Sequence, residues 1–177
     1  FTEIPAFLGL PSIHDAGGFW DPFFRACDET GTVVCMHIGS SSKMPSTSPD
    51  APAAVGSTLT YMNAAMSMTD YLMSGIFERF PNLKFVMAEM GCAWIPPMLE
   101  RYDSLLDQIR RTGRTGELAY GPESVLPQSA TEYFRRNCWV AVSPPQTLDI
   151  LSISQVGLDK VMWGSDYPHD EGTGPYT

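Results

Sequence analysis

Four short apolar runs, each reached through a stretch of helical character, constrain this chain more than any other feature. They are residues 32–38 (TVVCMHI), 83–90 (LKFVMAEM), 137–142 (NCWVAV) and 159–165 (DKVMWGS). Largely apolar runs of this length, each containing Val, suit buried strands of a parallel sheet. Helices between them rule out tight hairpins, so successive strands must pair in parallel through crossovers. The expected fold class is therefore α/β. Four such units make half of a (β/α)8 barrel or a small open sheet.

The stretches between the runs carry helix signals. Asp21 and Pro22 open a helix that Gly31 closes, as Asp at the cap, Pro in the first turn and Gly past the end favour. Residues 58–80 repeat apolar positions at helical spacing (Leu72, Ile76, Phe80) until Pro81-Asn82. Residues 94–111 form a further helix with Pro in its first turn and Arg at its end. SATE at 129–132 is a capping box before a short helix. Ser143-Pro144-Pro145 opens a last helix, which Gly157 stops. Residues 39–56 (GSSSKMPSTSPDAPAAVG) read as a long polar loop, a length that usually marks a lid or binding loop. Residues 1–20 and 112–128 also read as loops.

Composition narrows the class. The chain has 177 residues, of which 44% are hydrophobic, so it can bury a core. Its net charge of −9 opposes nucleic acid and anionic membrane surfaces as partners. No run approaches transmembrane length. The cysteines Cys27, Cys35, Cys92 and Cys138 form no C-x-x-C pair. They read as reduced residues of a cytosolic protein, with Cys35 and Cys138 in the core. Trp94 and Trp163 are also expected in the core. The chain starts at Phe1 without Met and stops just after residues 161–169 (VMWGSDYPH), which reads as a partial chain.

If the strands are parallel, their C-terminal ends share one rim, where α/β folds place chemistry. The candidates there are His37, Glu89, Ser143 and Asp166. Imidazole and carboxylate are ligands for zinc and similar divalent cations, and a neighbouring carboxylate can move a proton. Simpler roles stand beside these. His37 also fits a hydrogen-bonded core histidine. Asp166 also suits a turn before Pro168. Glu89, costly to bury unpaired, also suits an ion pair with an arginine such as Arg101. His14 and His169 read as loop residues at the rim, open to substrate. Ser40 and Lys43, in the polar loop, offer a hydroxyl and a carboxylate anchor. No strand leads into G-x-G-x-x-G or a Walker-type loop, which argues against nucleotide binding.

Three segments together, DPFFRACDETGTVVCMHIGSSS, GIFERFPNLKFVMAEMGCAWIPPMLERYD and VMWGSDYPHDEGT, resemble the C-terminal half of the amidohydrolase-related family. This is the branch that includes aminocarboxymuconate semialdehyde decarboxylase and related hydrolases. The resemblance implies half of a distorted (β/α)8 barrel with a divalent metal at its rim, zinc first and manganese second. It makes His37 the metal ligand of the fifth strand. Asp166 becomes the metal ligand and acid–base residue of the eighth. Many relatives carry histidine where this chain has Glu89, which would take over proton transfer or substrate orientation. The family's first-strand His-x-His pair is absent. The implied activity is hydrolysis or non-oxidative decarboxylation of a small, carboxylated cyclic compound. The alternative is an inactive half-barrel. A half-barrel leaves strand edges unpaired, so the expected partner is a second copy or the missing N-terminal half.

Overall fold

The computed structural model describes residues 1–113, 126–170 and 172. Four strands, β1 (Val33–His37), β2 (Lys84–Ala88), β3 (Cys138–Val142) and β4 (Val161–Trp163), form one sheet in the order β1-β2-β3-β4. Every neighbouring pair is parallel. Each strand lies inside one of the four apolar runs. The last is shortened at its start, where Leu158–Lys160 coils into a 3-10 turn.

The helices are α1 (Asp21–Thr30), α2 (Ala53–Leu59), α3 (Tyr61–Met73), α4 (Ile76–Arg79), α5 (Ile95–Thr112), α6 (Ala130–Asn137) and α7 (Thr147–Val156). Three boundaries depart from the sequence reading. Trp20, not Asp21, occupies the cap of α1, and the Asp21 carboxylate instead faces Arg79 at 3.4 Å. The single helix expected over 58–80 falls into three: α2 ends at Leu59 and α3 starts after Thr60, while Gly75 at φ 71 separates α3 from α4. The polar loop ends early, at α2. There Gly56 lets the chain fold back, since a Cβ on it would stand 3.0 Å from the Pro45 carbonyl oxygen. The capping box of α6 is present, with Ser129 and Glu132 each accepting the other's backbone N–H. The loop expected over 112–128 falls mostly outside the described residues. No described helix is long and apolar enough to cross a membrane.

One face of the sheet carries the core. Alternation sends Val34, Met36, Phe85, Met87, Cys138, Val140 and Val142 into one buried cluster with residues of α1 and α3–α7. Phe85 packs against Tyr71 of α3 and Phe77 of α4, ring centroids 4.2 and 6.1 Å away. Among the described residues the other face is only partly covered, with Lys160 Nζ 4.1 Å from the centre of the Trp139 ring. The register places Cys35 beside Val86, Val86 beside Trp139, His37 beside Ala88, and Ala141 beside Met162. None of these belongs to the buried cluster. Cys35 is exposed, against the expectation of a core thiol. Trp163, on the edge strand, is also exposed, at 64%. Both runs are apolar enough for burial on two sides; Cys35 lies on the less covered face, whereas Trp163 pairs with buried Val142 on the covered side and is exposed on the edge strand.

Candidate active site

Parallel strands bring four chain ends to one rim. His37 is the last residue of β1, Glu89 follows β2, Ser143 follows β3, and Asp166 follows β4 by three residues. Two of them leave strand geometry sharply: Glu89 has φ 59 and Asp166 φ 54. A residue with a Cβ is disfavoured in this left-handed region, and such conformations cluster where structure holds a side chain for chemistry.

His37 is fixed through both ring nitrogens. Its Nδ1 lies 2.7 Å from the Ile38 carbonyl oxygen, which can only accept, so Nδ1 carries the proton and donates. Its Nε2 lies 2.9 Å from Glu89 Oε1. The pKa of His37 is raised, first by the Ile38 carbonyl and then by the carboxylates of Glu89 and Asp166, which together outweigh partial burial. Asp166 therefore lies within electrostatic reach of His37. Its side chain is nearly buried, and Oδ1 stands 3.2 Å from Nδ1 of His169, itself well exposed. The His169 backbone N–H donates to the Asp166 carbonyl at 2.8 Å, closing that turn. Glu89 takes its partner from His37, not from Arg101.

The remaining candidates have other partners. His14 Nε2 lies 3.0 Å from Asp70 of α3. Lys43 Nζ sits 4.5 Å from the centre of the Phe7 ring. The Ser40 hydroxyl accepts from the Glu3 N–H at 2.9 Å. Glu3 is fully buried, and one of its oxygens accepts from the Ser41 hydroxyl at 2.9 Å, so segment 1–5 pins the turn after His37. Ser143 keeps a buried hydroxyl without a protein partner, next to Gly164.

The donor set bears directly on a metal. A histidine whose Nδ1–H is held by a backbone carbonyl presents Nε2 to a cation, the usual arrangement for an imidazole ligand. His37 meets the Nδ1 condition, and a cation at Nε2 would replace its 2.9 Å contact with Glu89 Oε1; Asp166 adds a carboxylate at the same end of the sheet. Among the described residues no three His, Cys, Asp or Glu side chains converge closely enough to hold an ion. The donors present fit a divalent metal in kind and fall short of a full set.

The amidohydrolase family model matches residues 8–177. The chain belongs to the amidohydrolase family. Among curated relatives it is similar to the gamma-resorcylate decarboxylase of Polaromonas sp. (strain JS666 / ATCC BAA-500), 23% identical over 166 residues, 91% of this chain and 47% of that one. An amidohydrolase structure from Mycobacterium avium subsp. paratuberculosis K-10 superposes with a TM-score of 0.72 at 23% identity, covering 97% of this chain and 42% of that one. The 5-carboxyvanillate decarboxylase of Novosphingobium aromaticivorans, complexed with manganese and 4-hydroxy-3-methoxy-5-nitrobenzoic acid, superposes with a TM-score of 0.62 at 26% identity. That match covers 90% of this chain and 44% of the enzyme. The chain thus spans about half the length of the amidohydrolases it matches, and its four βα units match part of their fold.

Two residues with clear roles at this rim escaped the sequence reading. Glu3 lies in a stretch that reads as plain loop. Asp149, buried in α7, holds the loop after β2, and its only sequence signal is its place three residues after Gln146.

Proposed function

We propose that this chain is one half of a divalent-metal-dependent decarboxylase acting on a hydroxylated, carboxylated aromatic ring, and that it supplies part of the metal's ligands. The observation that carries the reading is the His37 arrangement. Nδ1–H is spent on a carbonyl, Nε2 faces the Glu89 carboxylate at 2.9 Å, and Asp166 lies within electrostatic reach. Decarboxylase relatives, one of them solved with manganese and a substituted nitrobenzoic acid, support the choice of chemistry.

In this reading His37 and Asp166 hold the cation. When bound, it draws electron density from the substrate's carboxylate and neighbouring oxygen. Glu89 sits beside the imidazole, with Oε1 2.9 Å from Nε2. Its partly buried position suits a carboxylate that carries a proton to or from the ring carbon. Asp166 is held in place by its own turn and by His169. His169 is placed to meet substrate from the exposed side. Manganese is the metal to test first; zinc is the second. The four unpaired thiols suit a reducing, cytosolic setting. The less covered face of the sheet calls for cover by a second copy or by further strands of a longer chain.

The test uses the full chain. Wild-type protein is expected to bind manganese near stoichiometry and to release carbon dioxide from 5-carboxyvanillate or 2,6-dihydroxybenzoate. His37→Ala and Asp166→Asn are expected to lose both metal and activity. Glu89→Gln is expected to keep metal and to lose roughly 100-fold or more in kcat. Full metal binding by Asp166→Asn would overturn the ligand assignment. Carbon dioxide release unchanged in Glu89→Gln would remove its role.

A further inference from the structure

We propose that Asp149 is the positioning residue for Glu89: it clamps the loop after β2 and so fixes the Glu89 carboxylate against His37. This inference rests on the proposed role of Glu89 for its kinetic consequence, but not for its geometry.

Asp149 is the third residue of α7, and it is buried. One carboxylate oxygen, Oδ2, accepts the Gln146 N–H at 2.9 Å and completes the cap of its own helix. The helix needs no more from it. The other oxygen, Oδ1, reaches a different βα unit. It accepts the backbone N–H of Cys92 at 2.6 Å and that of Ala93 at 2.9 Å. The Cys92 thiol donates in turn to the Asp149 carbonyl at 3.5 Å. A buried carboxylate taking short bonds from N–H groups far apart in sequence is a strong and directional tie.

The loop so held is the one that needs holding. Glu89 at φ 59 and Gly91 at φ 60 place two left-handed residues within three positions. A Cβ on Gly91 would meet Asp149 Oδ1 at 3.2 Å, so the glycine makes room for this carboxylate. Nothing in the local sequence favours Glu89 in that conformation. The two amides that follow the turn supply the constraint, and both end on Asp149. The result is the 2.9 Å approach of Glu89 Oε1 to His37 Nε2.

The variant is Asp149→Asn, which keeps shape but loses the charge and half of the accepting capacity. Its crystal structure is the first readout. Glu89 is expected to leave φ near +59 and to lose contact with His37, while β2 and α7 stay in place. The second readout is carbon dioxide release by the manganese-loaded full chain from 5-carboxyvanillate and 2,6-dihydroxybenzoate. Asp149→Asn is expected to lower kcat about as far as Glu89→Gln does, roughly 100-fold, with KM within about 3-fold and manganese binding unchanged. The double variant should be no slower than the slower single one, as two changes acting through one group require. Gly91→Ala, which pushes on the same oxygen from the loop side, should repeat the phenotype if Asp149→Asn folds poorly. Glu89 unmoved in the variant crystal, or losses that multiply in the double variant, would overturn the proposal. If wild-type protein turns over neither compound, the decarboxylase reading fails by itself, and the crystal structures still decide whether Asp149 holds Glu89.

Discussion

The two faces of the sheet differ in what they ask of the sequence. The covered face is a continuous apolar surface: Phe85, Met87 and Val140 are buried between strands and helices, and α3 to α7 meet there. The more open face carries Cys35, Val86, Trp139, Ala141 and Met162, with Lys160 against Trp139 and no α-helix of the described residues in the buried cluster on that side, and it leads upward to His37 and the rim. One face specifies the fold through packing, and the other presents chemistry at its edge and apolar surface below. The cover proposed for this side is a second copy or further strands.

The comparison breaks most easily at Phe85. Phe85→Ala deletes a ring that is 1% exposed and packed on Tyr71 and Phe77, and should cost about 3–5 kcal/mol in urea unfolding. A loss below about 1 kcal/mol would mean that the covered face is not the source of stability.

The next largest effect tests a polar tie on the covered side. The buried Asn137 amide donates to the carbonyls of Pro81 at 3.1 Å and Leu83 at 2.7 Å, joining the end of α6 to the turn before β2. Asn137→Ala leaves both carbonyls without that donor, so about 1–3 kcal/mol should be lost. A neutral result would show that water replaces the amide and that the turn is not dry.

Much of the covered face was legible in the sequence. The parallel order of the strands followed from helices between apolar runs, and the cap at Ser129 followed from its four-residue motif. The more open face was not legible. An apolar run such as TVVCMHI looks the same whether one side or both are covered, so Cys35 reads as core when it is exposed. Nothing in the last run marks β4 as the edge strand that leaves Trp163 open on the covered side. The rim was legible in part. His37, Glu89 and Asp166 stand at the ends of strands that can be read, and their gathering at one end follows from parallel pairing. The clamp by Asp149 was hidden because its partners lie 56 and 57 positions earlier. No local pattern encodes a contact that the fold alone creates.

A pH titration sharpens the contrast. Burial raises the thiols of Cys92 and Cys138 from 9.0 to about 12, and burial with the Glu78 bond raises Tyr133 from 10.0 to about 12. All three are protonated in the folded chain where the unfolded chain has begun to ionise. Their contribution to stability is therefore whole below about pH 9 and is lost progressively as pH rises toward 12. The urea midpoint should stay level from pH 7 to about 8.5 and fall beyond it. Cys138→Ala should flatten that fall. An unchanged slope would mean that the thiol is not held away from water on the covered face.

The smallest effect belongs to the more open face, and it says most about function. Cys35→Ser removes an exposed sulfur and should leave stability within about 0.5 kcal/mol. In dilute 177-residue chain Cys35 should react with a maleimide well before Cys27, Cys92 and Cys138, which are buried. The same reaction reads cover directly. If copies of the chain close over each other's more open faces, alkylation of Cys35 slows as protein concentration rises, and its rate follows the oligomer measured by sedimentation. If further strands of a longer chain do the covering, Cys35 is protected at every concentration in that longer protein and open in this one. Early reaction of Cys92 or Cys138 alongside Cys35 would erase the distinction between the faces, because both would then be open to solvent.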